Sequence, residues 1–159
     1  MVDSRDKGTR AEYQVRDKLR KHTGLVWERV PGSGGFNASH SLKGDLYLPP
    51  SVGKISKYTI EVKHYKDTQI TPNLFNPTVS ILEKWLEQTF REAEEMNAKP
   101  ILVFKHDRAK WLAALPIEDA MEFIDSDIPY LILHKAGYEV LILLFDTWLS
   151  AQTVEDLVI

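Results

Sequence analysis

The sequence predicts one α/β domain built on a central mixed β-sheet flanked by helices. Two observations carry this. Apolar residues recur every three or four positions in two long segments, the spacing of one helix face. Between and after those segments, apolar residues alternate or gather in short runs bounded by Gly and Pro, as in strands. The resulting order of helix, strands, helix, strands places helices against one sheet. With 159 residues, 43% of them hydrophobic, the chain can bury one core and is expected to form a single domain, residues 1–159.

Residues 7–22 form the first expected helix, with Ala11, Val15 and Leu19 four apart and Gly24 ending it. Val26 to Val30 alternates as a strand. Pro31-Gly32-Ser33-Gly34-Gly35 breaks the pattern, and a polar loop runs on to Gly44. Two strands follow, near 45–48 and 57–64, with an irregular stretch at 66–77. Residues 78–97 read as the clearest helix. Leu82, Trp85, Leu86, Thr89, Ala93 and Met96 form its apolar stripe, while Glu83, Glu87, Arg91, Glu94 and Glu95 are expected to face water. Ile101 to Lys105 reads as a buried strand and Trp111 to Leu115 as another. A short helix is expected at 116–124. A hairpin is expected from Tyr130 to Phe145, turning at Lys135-Ala136-Gly137, and a short helix in the tail.

The chain has no cysteine, which excludes disulfides, thiol catalysis and thiolate-bound zinc. Its longest strongly apolar run, Val140 to Phe145, is far too short to span a membrane, and the first residues lack an apolar leader. The expectation is an intracellular, cytoplasmic protein. Net charge is −3, but it is unevenly distributed. Residues 1–66 carry 13 Lys+Arg against 7 Asp+Glu, and residues 67–159 carry 7 against 16. A polyanion responds to the local field, so the basic half makes a nucleic-acid partner possible despite the negative total.

The basic half also holds the most informative residues. Asp45 opens one strand, and Glu61-Val62-Lys63 lies sixteen positions further on in the next. Residues two apart on a strand share a face, so Glu61 and Lys63 project together while Val62 faces the core. If the strands pair, Asp45 joins them. Two carboxylates beside a lysine suit a divalent metal that activates water against a phosphodiester. Taken alone, the same pattern also describes a salt bridge at two strand ends.

Further motifs favour the first reading. Lys7-Gly8-x-x-Ala11-Glu12, Arg29-x-x-Gly32-Ser33-Gly34, Gly44-Asp45 and Ile60-Glu61-Val62-Lys63, in this order, resemble the archaeal-type Holliday junction resolvases of the PD-(D/E)XK nuclease superfamily. The resemblance runs through the second helix into Ala98 to Lys105 and covers residues 7–115, leaving 116–159 as a hairpin and tail. It implies a restriction-endonuclease-like fold and a Mg²⁺-dependent endonuclease, with Mn²⁺ as a substitute, that resolves four-way DNA junctions as a homodimer in recombination and repair. Small size and divergence fit a phage-encoded member acting in the host cytoplasm.

The resemblance also implies roles. Asp45, Glu61 and the Val62 carbonyl would bind Mg²⁺, and Glu12 would hold a metal or its water. Lys63 would orient or activate the attacking water. Ser33 would sit on a loop near the scissile phosphate, and Arg29 would contact the DNA backbone. Where relatives often carry arginine after the helix glutamate, this chain has Tyr13, so phosphate binding from that helix falls to Arg10 or Arg16. The long loop before Asp45, with Lys43, could reach into a junction. His40 and His64 could serve as base and ligand or be incidental, and Gln88 could approach the site from the second helix. Trp27, Trp85, Trp111 and Trp148 are expected in the core or an interface. Glu92, Glu94 and Glu95 are expected on a solvated face. Two other readings remain: a different PD-(D/E)XK repair or restriction-type nuclease, and a junction-binding protein without catalysis.

Overall fold

A computed structural model describes residues 4–31 and 42–159. Helix α1 (Ser4–Thr23) buries Ala11, Val15 and Leu19, the four-residue stripe. It ends where Gly24 takes φ +73° and donates its N–H to the Arg20 carbonyl at 2.8 Å. The chain then enters a sheet of seven strands: β1 (Glu28–Arg29), β2 (Leu46–Tyr47), β3 (Tyr58–Tyr65), β4 (Lys99–His106), β5 (Leu112–Pro116), β6 (Leu131–Lys135) and β7 (Tyr138–Leu144). Their spatial order is β1-β2-β3-β4-β5-β7-β6. Among the described strands only β3 and β4 run parallel; every other neighbouring pair is antiparallel.

A parallel pair needs a crossover, and helix α2 (Ile81–Glu95) provides it. Its start is fixed by a capping box: Ser80 accepts from the Glu83 N–H at 3.2 Å, and the Glu83 carboxylate accepts from the Ser80 N–H at 2.8 Å. The two faces of the sheet carry separate cores. On one, α1, the tail helices α3 (Phe145–Ser150) and α4 (Val154–Leu157), Ile60, Val62 and Val103 bury Trp27, Trp111 and Trp148. On the other, Leu82, Trp85 and Leu86 of α2 pack on Leu102, Phe104, Val140 and Ile142. The four tryptophans are therefore core residues.

The expected elements are present with four corrections. The first strand shrinks to two paired residues, Glu28 and Arg29. The helix expected at 116–124 is two 3-10 turns, Ile117–Asp119 and Met121–Phe123. Glu83 is 3% exposed instead of facing water, because its carboxylate serves the Ser80 cap and pairs with Lys135 Nζ at 2.8 Å. Met96 lies beyond α2 and is exposed. The hairpin of β6 and β7 turns at Ala136-Gly137, both at positive φ, as a tight two-residue turn requires. Its β7 strand is interior to the sheet, so its apolar run is core.

Candidate active site

The site forms where β2 diverges from β3. Leu46 pairs with Ile60, and one residue earlier the chain bends away. Gly44 takes φ +81°, and a Cβ there would lie 3.0 Å from both the Ile60 carbonyl oxygen and Thr59 Cγ2. Only glycine lets the backbone pass so close in this conformation. The bend delivers Asp45, whose N–H donates to the Ile60 carbonyl at 2.7 Å and whose carbonyl accepts from the Val30 N–H at 2.9 Å. Its side chain turns back along β3, and Oδ2 accepts the Val62 N–H at 2.7 Å.

That bond seats Asp45 beside Glu61. On β3, Val62 is buried toward α1, while Glu61, Lys63 and Tyr65 share the face covered by α2. Glu61 is 2% exposed. Gln88 of α2 reaches it, with Nε2 lying 3.5 Å from Glu61 Oε2 and 3.4 Å from Glu92 Oε1. Glu92, expected on a solvated face, instead points inward, and its Oε2 is buried with no hydrogen-bond partner among the described residues. In the sequence, Glu92 stands with Glu94 and Glu95. The signal that separates them is its position four residues, one helical turn, after Gln88.

The electrostatics follow from this crowding. Burial pushes the Asp45 carboxyl above its ordinary range, with the Val62 N–H opposing. Burial, then Asp45 and Glu92, push Glu61 strongly upward. Burial alone would raise Glu92, but hydrogen bonds to Glu61 and Gln88 hold it below its usual value. Without a cation, the crowding disfavours the charged form of Glu61 most of the three. Glu12, on α1, is pushed up to about 7 by burial and then by Asp45, against the opposing pull of Arg29 and Lys63.

Arg29 is partly exposed and engaged by Glu12. Its Nε donates to Glu12 Oε1 at 3.0 Å, and its guanidinium lies 5.1 Å from the centre of the Tyr13 ring, which Arg16 also approaches at 4.6 Å. Tyr13, standing where relatives often have arginine, thus gathers two arginines. Arg10 is exposed on α1. Lys43 lies 3.5 Å from Glu95 of α2. Ser33, His40 and most of the 34–44 loop lie outside the described residues.

Lys7, Glu12, Asp45, Lys63, His64 and Lys66 line a cleft of about 730 Å³ at the C-terminal ends of the parallel strands β3 and β4. This is where open α/β sheets place ligands. Asp107, just past β4, accepts from Lys7 Nζ at 2.7 Å and lies 2.8 Å from His64 Nε2. His64 is thus a partner of Asp107 on the cleft wall, held below its usual pKa by burial and then by Lys7. A hollow of about 810 Å³, lined by Phe90, Asn97, Met121 and His134, contains none of these residues.

The donor set fits a hard divalent cation. Asp45 and Glu61 offer carboxylate oxygens and Val62 a carbonyl, and the crowded negative charge is what a cation relieves. Among the described residues, no three metal-ligating side chains stand close enough to enclose an ion unaided.

A family model described as "Phage putative PDDEXK endonuclease" matches residues 3–158. Protein D14 of Escherichia phage T5 is 57% identical over 157 residues, covering 99% of this chain and 98% of that protein. Among solved structures, Hjc of Archaeoglobus fulgidus, described as a Holliday junction resolvase, is matched over 89% of this chain and 87% of that one, at 19% identity and a TM-score of 0.43.

Proposed function

The chain belongs to the phage PDDEXK endonuclease family and is a nuclease of the PD-(D/E)XK type, and from that premise we propose that it cuts branched DNA, resolving four-way junctions with Mg²⁺. The observation that carries the catalytic part is the seating of Asp45 against the Val62 N–H, which sets its carboxylate beside the buried Glu61 on a cleft that Lys63 and Glu12 also line. The junction preference rests on the motif order of residues 7–63 and on the basic N-terminal half.

Asp45, Glu61 and the Val62 carbonyl would hold the cation. When bound, it supplies an activated water and neutralises charge at phosphorus. Lys63 projects from the same strand face as Glu61, where its ammonium orients the water and offsets charge on the phosphate. Glu12, half-buried on the opposite wall, takes a proton or orders a water, with Arg29 fixing its carboxylate. Lys7, Lys66 and Arg10 contribute positive charge for flanking phosphates. A four-way junction has approximate two-fold symmetry, so two equivalent sites in a homodimer match the two cuts it needs.

The test is a cleavage panel with Mg²⁺, or Mn²⁺ in its place, on four-way junctions, flaps, linear duplex and single strands of equal length. Paired symmetric nicks in junctions are expected. Equal cutting of linear duplex would reassign the protein to a repair or restriction-type nuclease. Tight junction binding without cuts in either metal would leave a binding protein.

A further inference from the structure

One segment beside the cleft contrasts with the rest of the chain. Charged residues make up 27% of the sequence, yet the fifteen residues from Thr68 to Leu82 contain none. This stretch begins two residues after Lys66, on the cleft wall, and ends in the first turn of α2. It lies on the α2 face of the sheet, the face to which Glu61 and Lys63 project. Tyr65, next in that row, meets Trp85 of α2 edge-on with ring centres 4.8 Å apart, and Ile70 and Leu74 pack on the same core.

The segment has a built conformation. Thr71 accepts the Asn73 N–H at 3.2 Å and caps a 3-10 turn at Pro72–Phe75, and the Asn76 N–H closes onto the Asn73 carbonyl at 3.1 Å. Pro72 and Pro77 stiffen both sides. This anchored turn exposes Phe75, which is 91% accessible, with Asn73 and Asn76 exposed beside it. An ordered phenyl ring in water has a cost, and here Ile70 and Leu74 already supply the packing that fixes the turn. Phosphate contacts would call for lysine or arginine, which are absent. A neutral aromatic ring flanked by amides suits the flat face and polar edge of a nucleobase.

We propose that Phe75 is a stacking residue for an unstacked nucleobase of the DNA substrate, so that loop 67–80 senses broken base stacking while the lysines of the cleft hold phosphates. This rests on the nuclease reading and concerns how the substrate is recognised. The test measures binding in EDTA by fluorescence anisotropy to three 30-mer duplexes: fully paired, with a three-nucleotide bulge, and with the same bulge made abasic. Wild type is expected to bind the bulge about tenfold more tightly than its abasic form, the scale of one base stacked on an aromatic side chain. Phe75→Ala should erase that difference while leaving the fully paired duplex unchanged, and Phe75→Tyr should retain it. A ring this exposed can be truncated without unfolding the chain. No dependence on bulge bases in wild type, or an equal loss on all three duplexes in Phe75→Ala, overturns the proposal. So does a change in oligomeric state by light scattering, which would make Phe75 a protein contact. The bulge comparison stands whether or not the panel shows junction cleavage, so the two readings fail separately.

Discussion

Asp45, Glu61 and Glu92 form a carboxylate cluster in which each residue has a different task. Asp45→Asn and Glu61→Gln are expected to abolish cleavage while leaving DNA affinity within a few-fold of wild type, since the proposed phosphate contacts lie elsewhere in the cleft. Full cleavage by either variant would remove the assignment. Glu92 acts through Glu61: its carboxylate and Gln88 hold the Glu61 side chain from the helix side. Glu92→Gln keeps the shape and removes the charge, and calorimetric titration should show a 10- to 100-fold loss of Mg²⁺ or Mn²⁺ affinity, typical of groups that orient a metal ligand. Unchanged affinity would make Glu92 a bystander. Glu12 gives a pH signature. Its folded pKa of about 7 lies above its ordinary 4.5, so the fold favours the protonated form. That contribution is complete below 4.5 and is lost as pH rises toward 7. In EDTA, the urea midpoint of wild type relative to Glu12→Gln should therefore fall across this window. A flat difference would contradict the burial of Glu12. The pairs Asp45 with Glu61 and Glu61 with Lys63 were legible in the sequence because strand alternation fixes faces. Glu92 was not, because three glutamates in four positions look alike until the tilt of the helix against the sheet is known.

At the scale of elements, the site depends on the β2–β3 fork. Gly44→Ala puts a Cβ at 3.0 Å from the Ile60 oxygen in a left-handed conformation, so a loss of at least about 1 kcal/mol is expected. Cleavage should fall further than thermal stability, because the same bend aims Asp45. If activity merely tracks stability, the bend has no catalytic consequence. The long helices and the β6–β7 hairpin were legible from periodicity and from Lys135-Ala136-Gly137. The segment after β5 was not. Pro116 to Phe123 has helix-like spacing, but its apolar residues serve two separate 3-10 turns. Tertiary packing overrode local preference there. The same applies to Glu83, whose charge suggested solvent but whose partners, Ser80 and Lys135, are a cap and a distant strand residue.

For the whole molecule, the relevant charge is that of one half. The cleft draws Lys7, Lys63 and Lys66 from residues 1–66, while the acidic excess of residues 67–159 lies largely elsewhere. DNA affinity measured in EDTA should fall steeply with salt, and the log–log slope should shrink by about one for each cleft lysine replaced. A slope unaffected by Lys66→Ala would place Lys66 outside the DNA footprint. The juxtaposition of Asp45 with Glu61 and Lys63 could be read from the pattern of two neighbouring strands, whereas the cleft walls could not, since Asp107 and His64 meet only when β3 and β4 lie side by side.

That parallel pairing also bears on when the site is assembled as the chain folds. Residues 61 and 102 become neighbours only after the crossover through α2 has closed, and Glu12 must arrive from the other face. Such non-local closure is the slow kind in folding. A chain still emerging from the ribosome, halted before β4, therefore carries every acid of the site but no shelf to hold them together. Cutting power would arrive late and all at once, as a property of the finished molecule.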